Sequence, residues 1–200
     1  MTILPRRGST VRSTAEMIDE VFTKELWEGF NTVDDDLFQR TWKQWERNRK
    51  AYFRQLESLT SRLSKSAARF FAVTSLHDGR LLAFGVGDHI NYRKSDLKSL
   101  SRNKGHPEVR IEVLNFEQNW LYYLNYAKVR TVLFDFPGGK PLFHEEGGRI
   151  DDWGYDELTA AGKSYLRHEI LFSSSATILI EFQKFSYEKI PIKSSKGPVF

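Results

Sequence analysis

The sequence predicts an α+β fold: an N-terminal antiparallel helix pair followed by a mainly antiparallel β-sheet of about five to seven strands. Three observations carry this. Residues 34–69 repeat apolar side chains at alternating three- and four-residue steps, the spacing of one helix face. From Phe70 onward the chain shifts to short alternating runs bounded by Gly, Pro and Ser. Aromatic content is high, with 15 Phe, 8 Tyr and 5 Trp, which suits a strand-built core.

In chain order, residues 1–12 read as a flexible basic tail. Ser13-Thr-Ala-Glu16 reads as a capping box, opening a helix to about Phe30 with Ile18, Phe22, Leu26 and Phe30 at four-residue spacing. Asn31-Thr-Val-Asp-Asp-Asp breaks the chain, and Thr32 or Asp34 caps the next helix. Unbroken over 34–69, that second helix would be about 54 Å long, so a bend near Ser58–Ser66 is expected.

Phe70–Ser75 and Arg80–Val86 read as strands joined by Leu76-His-Asp-Gly79, with Gly79 taking the positive φ of the turn. Residues 87–106 read as a polar loop with a short helix capped by Ser95. Glu108–Phe116 and Val129–Phe136 read as strands, whereas Trp120–Tyr126 fits helix or strand. Residues 140–154 are a loop, and Tyr155–Gly162 fits one or two helical turns. Tyr165–Phe172 and Thr177–Tyr187 form a final hairpin around Ser173-Ser-Ser, and 191–200 is a flexible tail. The helical hairpin region 13–69 and the sheet region 70–190 are expected to form one domain.

Composition excludes some chemistry. There are no cysteines, so disulfides, thiolate zinc sites and cysteine nucleophiles are absent. The N-terminus has no apolar signal segment and no apolar run reaches membrane-spanning length, so a cytoplasmic location without membrane association is expected. Net charge is +4 and the sequence pI about 9.2, a mild bias toward acidic partners.

The strongest partner signal lies in residues 34–69. Phe38, Trp42, Trp45, Tyr52, Leu56, Leu59 and Leu63 form an apolar stripe whose one gap is filled by Arg49. Arg40, Lys43, Arg47, Lys50 and Arg54 recur at the same steps two residues out of phase, about 200° around the helix. One face is therefore apolar and the opposite face a basic ladder. Trp42 and Trp45 are expected in the core. The first helix offers Ile18, Phe22 and Leu26 to the stripe, so its acidic residues meet the ladder only along the flanks. The same heptad-like spacing permits pairing between two chains, so a homodimer through the helices is one arrangement.

Other candidate chemistry is weaker. His144, Glu145 and Glu146, with Asp151 and Asp152, could hold a divalent metal or act as an acid–base pair, but their spacing matches no established ligand motif. His168 and Glu169 alternate across a strand and cannot act together; His168 shares a face with Leu166, Ile170 and Phe172. Gly85-Val-Gly-Asp-His89 lacks the third glycine and the Lys-Ser/Thr of a phosphate loop. The metal-nuclease pattern of a strand acid followed by acid-x-Lys is only approached, by Asp135 with Glu181 and Lys184 or by Asp96 and Lys98. No cofactor is expected. These features predict a non-enzymatic binding protein, of the accessory, immunity or adaptor type, that offers a basic helix face to an acidic partner. A protein partner comes first and nucleic acid second. The alternatives are a nucleic-acid binder using the 40–54 ladder and a metal-assisted hydrolase or nuclease using the 144–152 loop.

Overall fold

A computed structural model describes residues 22–88, 107–136 and 152–192. Three helices precede eight strands: α1 (Lys24–Phe30), α2 (Asp35–Leu59), α3 (Lys65–Val73), β1 (Arg80–Asp88), β2 (Pro107–Leu114), β3 (Trp120–Ala127), β4 (Thr131–Asp135), β5 (Trp153–Ala161), β6 (Tyr165–Phe172), β7 (Thr177–Phe182) and β8 (Lys184–Pro191). This is α+β with antiparallel sheets.

The helical region departs from a simple pair. Thr23 is extended, and its hydroxyl accepts the Leu26 N–H, so α1 begins at Lys24. A helix running through Phe22 and Thr23 is therefore not formed; Ser13–Glu16 lies outside the described residues. Asp34 caps α2 by accepting the Leu37 N–H at 3.0 Å. The expected bend is present. The Ser58 and Thr60 hydroxyls turn back onto the carbonyls of Gln55 and Glu57, α2 gives way to a 3-10 turn at Thr60–Arg62, and Leu63 is extended. Ser64 then caps α3.

Phe70–Ser75 is not a strand. Phe70 and Phe71 belong to α3, where with Ala67 they make a buried face at helical spacing. In the turn before β1, Asp78 and not Gly79 takes positive φ, at 58°. Gly79 is needed for space: a Cβ there would lie 2.6 Å from the Leu76 carbonyl oxygen.

The sheets have the orders β1-β2-β3-β8 and β4-β7-β6-β5. Two expectations change here. Of the expected helical stretch Tyr155–Gly162, Tyr155–Ala161 is strand and Gly162 is a turn residue, because β5 pairs along β6 from Trp153 to Ala161; ladder pairing overrides the helix propensity of its Glu, Leu and Ala residues. The run Thr177–Tyr187 is divided at Gln183, so β7 lies in one sheet and β8 in the other. That division and β5 bring the count among the described residues to eight strands, against the five to seven expected. Trp120–Tyr126 resolves as strand β3.

Gln183 marks a corner at which a strand changes sheets. Its N–H donates to Ala127 O at 3.3 Å, and the Arg130 N–H donates to Glu181 O at 2.9 Å. At the opposite corner the Asp78 N–H donates to Trp153 O at 2.7 Å and the Trp153 N–H to Gly79 O at 2.8 Å. Both sheets thus curl around one core, filled by Val109, Ile111, Leu124, Ile170, Ile178 and Phe182. The C-terminal half of α2 and all of α3 close this core: Tyr52, Leu56, Leu59, Phe70 and Phe71 are buried in it. That half of the apolar seam is therefore taken up within the chain.

Candidate functional site on the outer face of the long helix

The two stripes of α2 meet different surroundings. From Tyr52 onward the apolar stripe is core, whereas Phe38 and Trp45 are only half-buried and Trp42 is 43% exposed. The expectation that Trp42 sits in the core is not met. Among the described residues α1 packs on this part of the helix, while Trp45 also borders a pocket lined by Tyr52, Phe71 and Tyr155. Phe30 of α1 makes edge contacts with Phe38, Trp42 and Trp45 at ring distances of 6.0–6.2 Å. Gly29 permits this approach, since a Cβ there would lie 2.2 Å from Thr41 Oγ1.

Arg40, Lys43, Arg47, Lys50 and Arg54 are all exposed. None of the five forms an ion pair among the described residues. Arg47 donates to the Gln44 amide oxygen at 2.6 Å and the Arg54 Nε to the Lys50 carbonyl at 3.3 Å, contacts that leave both charges uncompensated. Residues 40 and 54 are about 21 Å apart along the helix axis. α1 does not cover the ladder. It lies against the Thr41 flank, leaving a groove of about 740 Å³ with Arg40, Lys43 and Arg47 on one wall and Glu25 and Leu26 on the other.

On the opposite flank stand Trp42, Arg49 and Phe53. The Arg49 guanidinium lies 5.3 Å from the Trp45 ring centre and 5.5 Å from that of Phe53, and Phe53 is 41% exposed. The outer surface of α2 is thus a cationic strip with aromatic rings beside it. Sequence reasoning missed the aromatic part. Arg49 was its signal: a charged residue inside the apolar stripe marks where burial stops.

No protein-family model, curated protein or solved structure matches this chain.

A second polar constellation lies inside the molecule. The Tyr126 hydroxyl is 2.7 Å from His168 Nδ1, His168 Nε2 is 3.0 Å from Asp156 Oδ2, and the Trp153 indole N–H donates to Asp156 Oδ1 at 2.9 Å. Carboxylate oxygens only accept, so His168 carries its proton on Nε2 and Tyr126 donates to Nδ1. Burial, and then the Asp156 charge, raise Tyr126 well above the usual tyrosine range, so its hydroxyl stays protonated. The order Tyr–His–Asp has the form of an activated nucleophile. Tyr126 and His168 are both 0% exposed, however, so no substrate atom reaches them. Asp156 alone touches a surface pocket, shared with Tyr52, Trp45 and His77. The constellation is a satisfied internal network, and the strand alternation that buries His168 also denies it solvent.

The approximate nuclease pattern does not assemble. Asp135 pairs opposite Thr177 and Glu181 opposite Thr131, at the two ends of the β4–β7 ladder. Glu181 instead accepts from Arg130 at 2.7 Å, Arg167 at 2.8 Å and Thr131 at 3.0 Å. Lys184 begins β8 in the other sheet. Residues Asp96 and Lys98 lie outside the described residues, as do His144, Glu145, Glu146 and Asp151. Asp152 is described. It forms the isolated bridge to Arg80 that joins the sheet corner, and its carbonyl accepts the Ser173 N–H at 3.1 Å. Among the described residues no three His, Asp or Glu side chains gather as metal ligands, and no helix is long and apolar enough to cross a membrane.

Proposed function

We propose that this is a non-enzymatic binding protein that docks an acidic partner on the outer face of α2. The observation that carries the reading is the ladder: Arg40, Lys43, Arg47, Lys50 and Arg54 are all exposed on one side of a helix whose other side is anchored in the core by Tyr52, Leu56 and Leu59. Five charges fixed on a rigid rod lose little freedom on binding a complementary anion. Their mutual repulsion is relieved when such an anion arrives. A satisfied ion-pair network would have removed that driving force, and none joins these residues among the described part of the chain.

The test is a variant carrying Glu at all five positions. Because the side chains are exposed, the variant should keep its circular dichroism spectrum and unfolding midpoint. Retention of the wild type on a polyanionic matrix should fall with salt, and the variant should pass through unretained. Equal retention of the two proteins would overturn the reading. On duplex DNA, engagement of all five cations would give a slope of log K against log salt of roughly −4.5.

A further inference from the structure

We infer that the acidic partner is a single-stranded nucleic acid, its phosphates on the ladder and one or more bases stacked on the aromatic flank at Trp42 and Phe53. The inference rests on the reading of α2 as an acidic-partner face and asks what kind of anion fits it.

Between its charges the ladder face offers little to bury; the apolar side chains beside it, Leu26 and the 39% exposed Leu37, lie in the groove between α1 and α2. Gln39, Gln44, Glu46 and Ala51 border the five cations, and all four are exposed. A partner helix packs by inserting apolar knobs into an apolar seam, and no such seam lies between these charges. An acidic protein surface would meet cations alone and leave Trp42 and Phe53 unused. A duplex keeps its bases stacked inside, so it too would contact only the cations. A single strand carries phosphates and accessible π-faces in one polymer, the two features this surface presents together.

Trp42 is placed for this. Trp45 lies 5.4 Å from it at a tilt of 31°, and Phe30 meets it edge-on at 6.1 Å. The indole is thus propped by rings behind it while 43% of the residue stays exposed. Held rings lose little entropy when a base stacks on them. Arg49 beside Phe53 adds a sixth cation on the aromatic side, which allows a strand to be held from both edges of the strip. Between Arg40 and Arg54, Glu46 is the one carboxylate on α2. It works against binding, and Glu46→Gln should tighten it.

The experiment compares three probes on the full chain by fluorescence anisotropy: labelled oligo-dT of about 15 nucleotides, a duplex of equal length, and polyglutamate of similar charge. Oligo-dT is expected to bind most tightly. Trp42→Ala should weaken it about tenfold, the loss of one stacked base. The slope of log K against log salt should not change, because the number of cations is the same. Trp42→Tyr, which keeps a ring, should recover most of the affinity. Unchanged oligo-dT affinity in a folded Trp42→Ala protein would overturn the stacking role. Duplex or polyglutamate binding as tight as oligo-dT would overturn the single-strand assignment while leaving the acidic-partner face standing. Failure of all three probes to bind would overturn both.

Discussion

The Tyr52 hydroxyl accepts the Leu158 backbone N–H at 3.1 Å. Leu158 lies on β5, the last strand in its sheet, whose other edge is met by Asp78 and Gly79 only at Trp153, so this bond covers part of a free edge with a helix side chain. It also fixes α2 against the sheet, and so sets the direction in which the basic ladder projects. Burial, with a smaller contribution from the Asp156 charge, raises the Tyr52 hydroxyl above its ordinary range, so it stays neutral.

Tyr52→Phe keeps the ring and removes this acceptor. A buried N–H left without a partner costs about 1–3 kcal/mol. The expected result is a lower unfolding midpoint and faster hydrogen exchange at the Leu158 amide, with little change elsewhere in β5. Unaltered exchange at Leu158 would show that the bond does not hold the edge.

Glu181 gives the protein an acid-sensitive element. Burial alone would raise its carboxyl. Hydrogen bonds from Arg130, Arg167 and Thr131 outweigh that and bring it from 4.5 down to about 2. A carboxyl depressed in the folded state adds stability that is complete above its unfolded value and is lost as pH falls through its folded value. The window is therefore about pH 4.5 down to 2. Glu181→Gln should cost about 2 kcal/mol near neutrality and progressively less across that window. Chemical denaturation of both proteins at several pH values measures this; a pH-independent difference would refute it.

How far the sequence carried this picture depended on whether a feature was local. The helix cap at Asp34, the serine-weakened bend and the burial of His168 follow from neighbours in the chain, and were legible there. The division of Thr177–Tyr187 at Gln183 was not read, although the apolar phase shifts there, from Ile178, Ile180 and Phe182 to Phe185 and Tyr187; that the shift makes a corner between sheets depends on bonds to Ala127, far away in sequence. Tyr155–Ala161 reads as helix on propensity and is strand only because β6 pairs with it. The ladder was visible as a phase relation. The exposure of Trp42 was not, since the periodicity says which face is apolar but not how far along the helix the core extends.

The inner network predicts a tautomer. Asp156 accepts from His168 Nε2 and the Tyr126 hydroxyl lies at Nδ1, so His168 should carry its proton on Nε2 with Nδ1 as the acceptor, which imidazole ¹⁵N shifts report directly. Tyr126→Phe should leave Nδ1 buried without a donor and destabilise the fold by about 1–3 kcal/mol. Since Tyr126 and Asp156 share the same ring, a double-mutant cycle with Asp156→Asn should be non-additive. An Nδ1-protonated ring would contradict the assignment.

At the α1–α2 contact the effect of Gly29→Ala should change sign with the residue at position 41. Ala is about 1 kcal/mol better than Gly in a helix interior, so Gly29→Ala in α1 would ordinarily stabilise. Here the new Cβ would lie 2.2 Å from Thr41 Oγ1 and 3.0 Å from its methyl. Relieving that overlap requires α1 to move outward, a cost of about 1–3 kcal/mol typical of overpacking. Gly29→Ala alone should therefore lower the unfolding midpoint and loosen Phe30 from Trp42 and Trp45, seen as a change in tryptophan emission. In a Thr41→Ala background Oγ1 and the methyl are gone and only the Cβ of residue 41 remains, at 3.1 Å, so the same substitution should become neutral or stabilising. If Gly29→Ala stabilises in both backgrounds, α1 is not held against α2 by this close approach, and the rings behind Trp42 are not fixed by it.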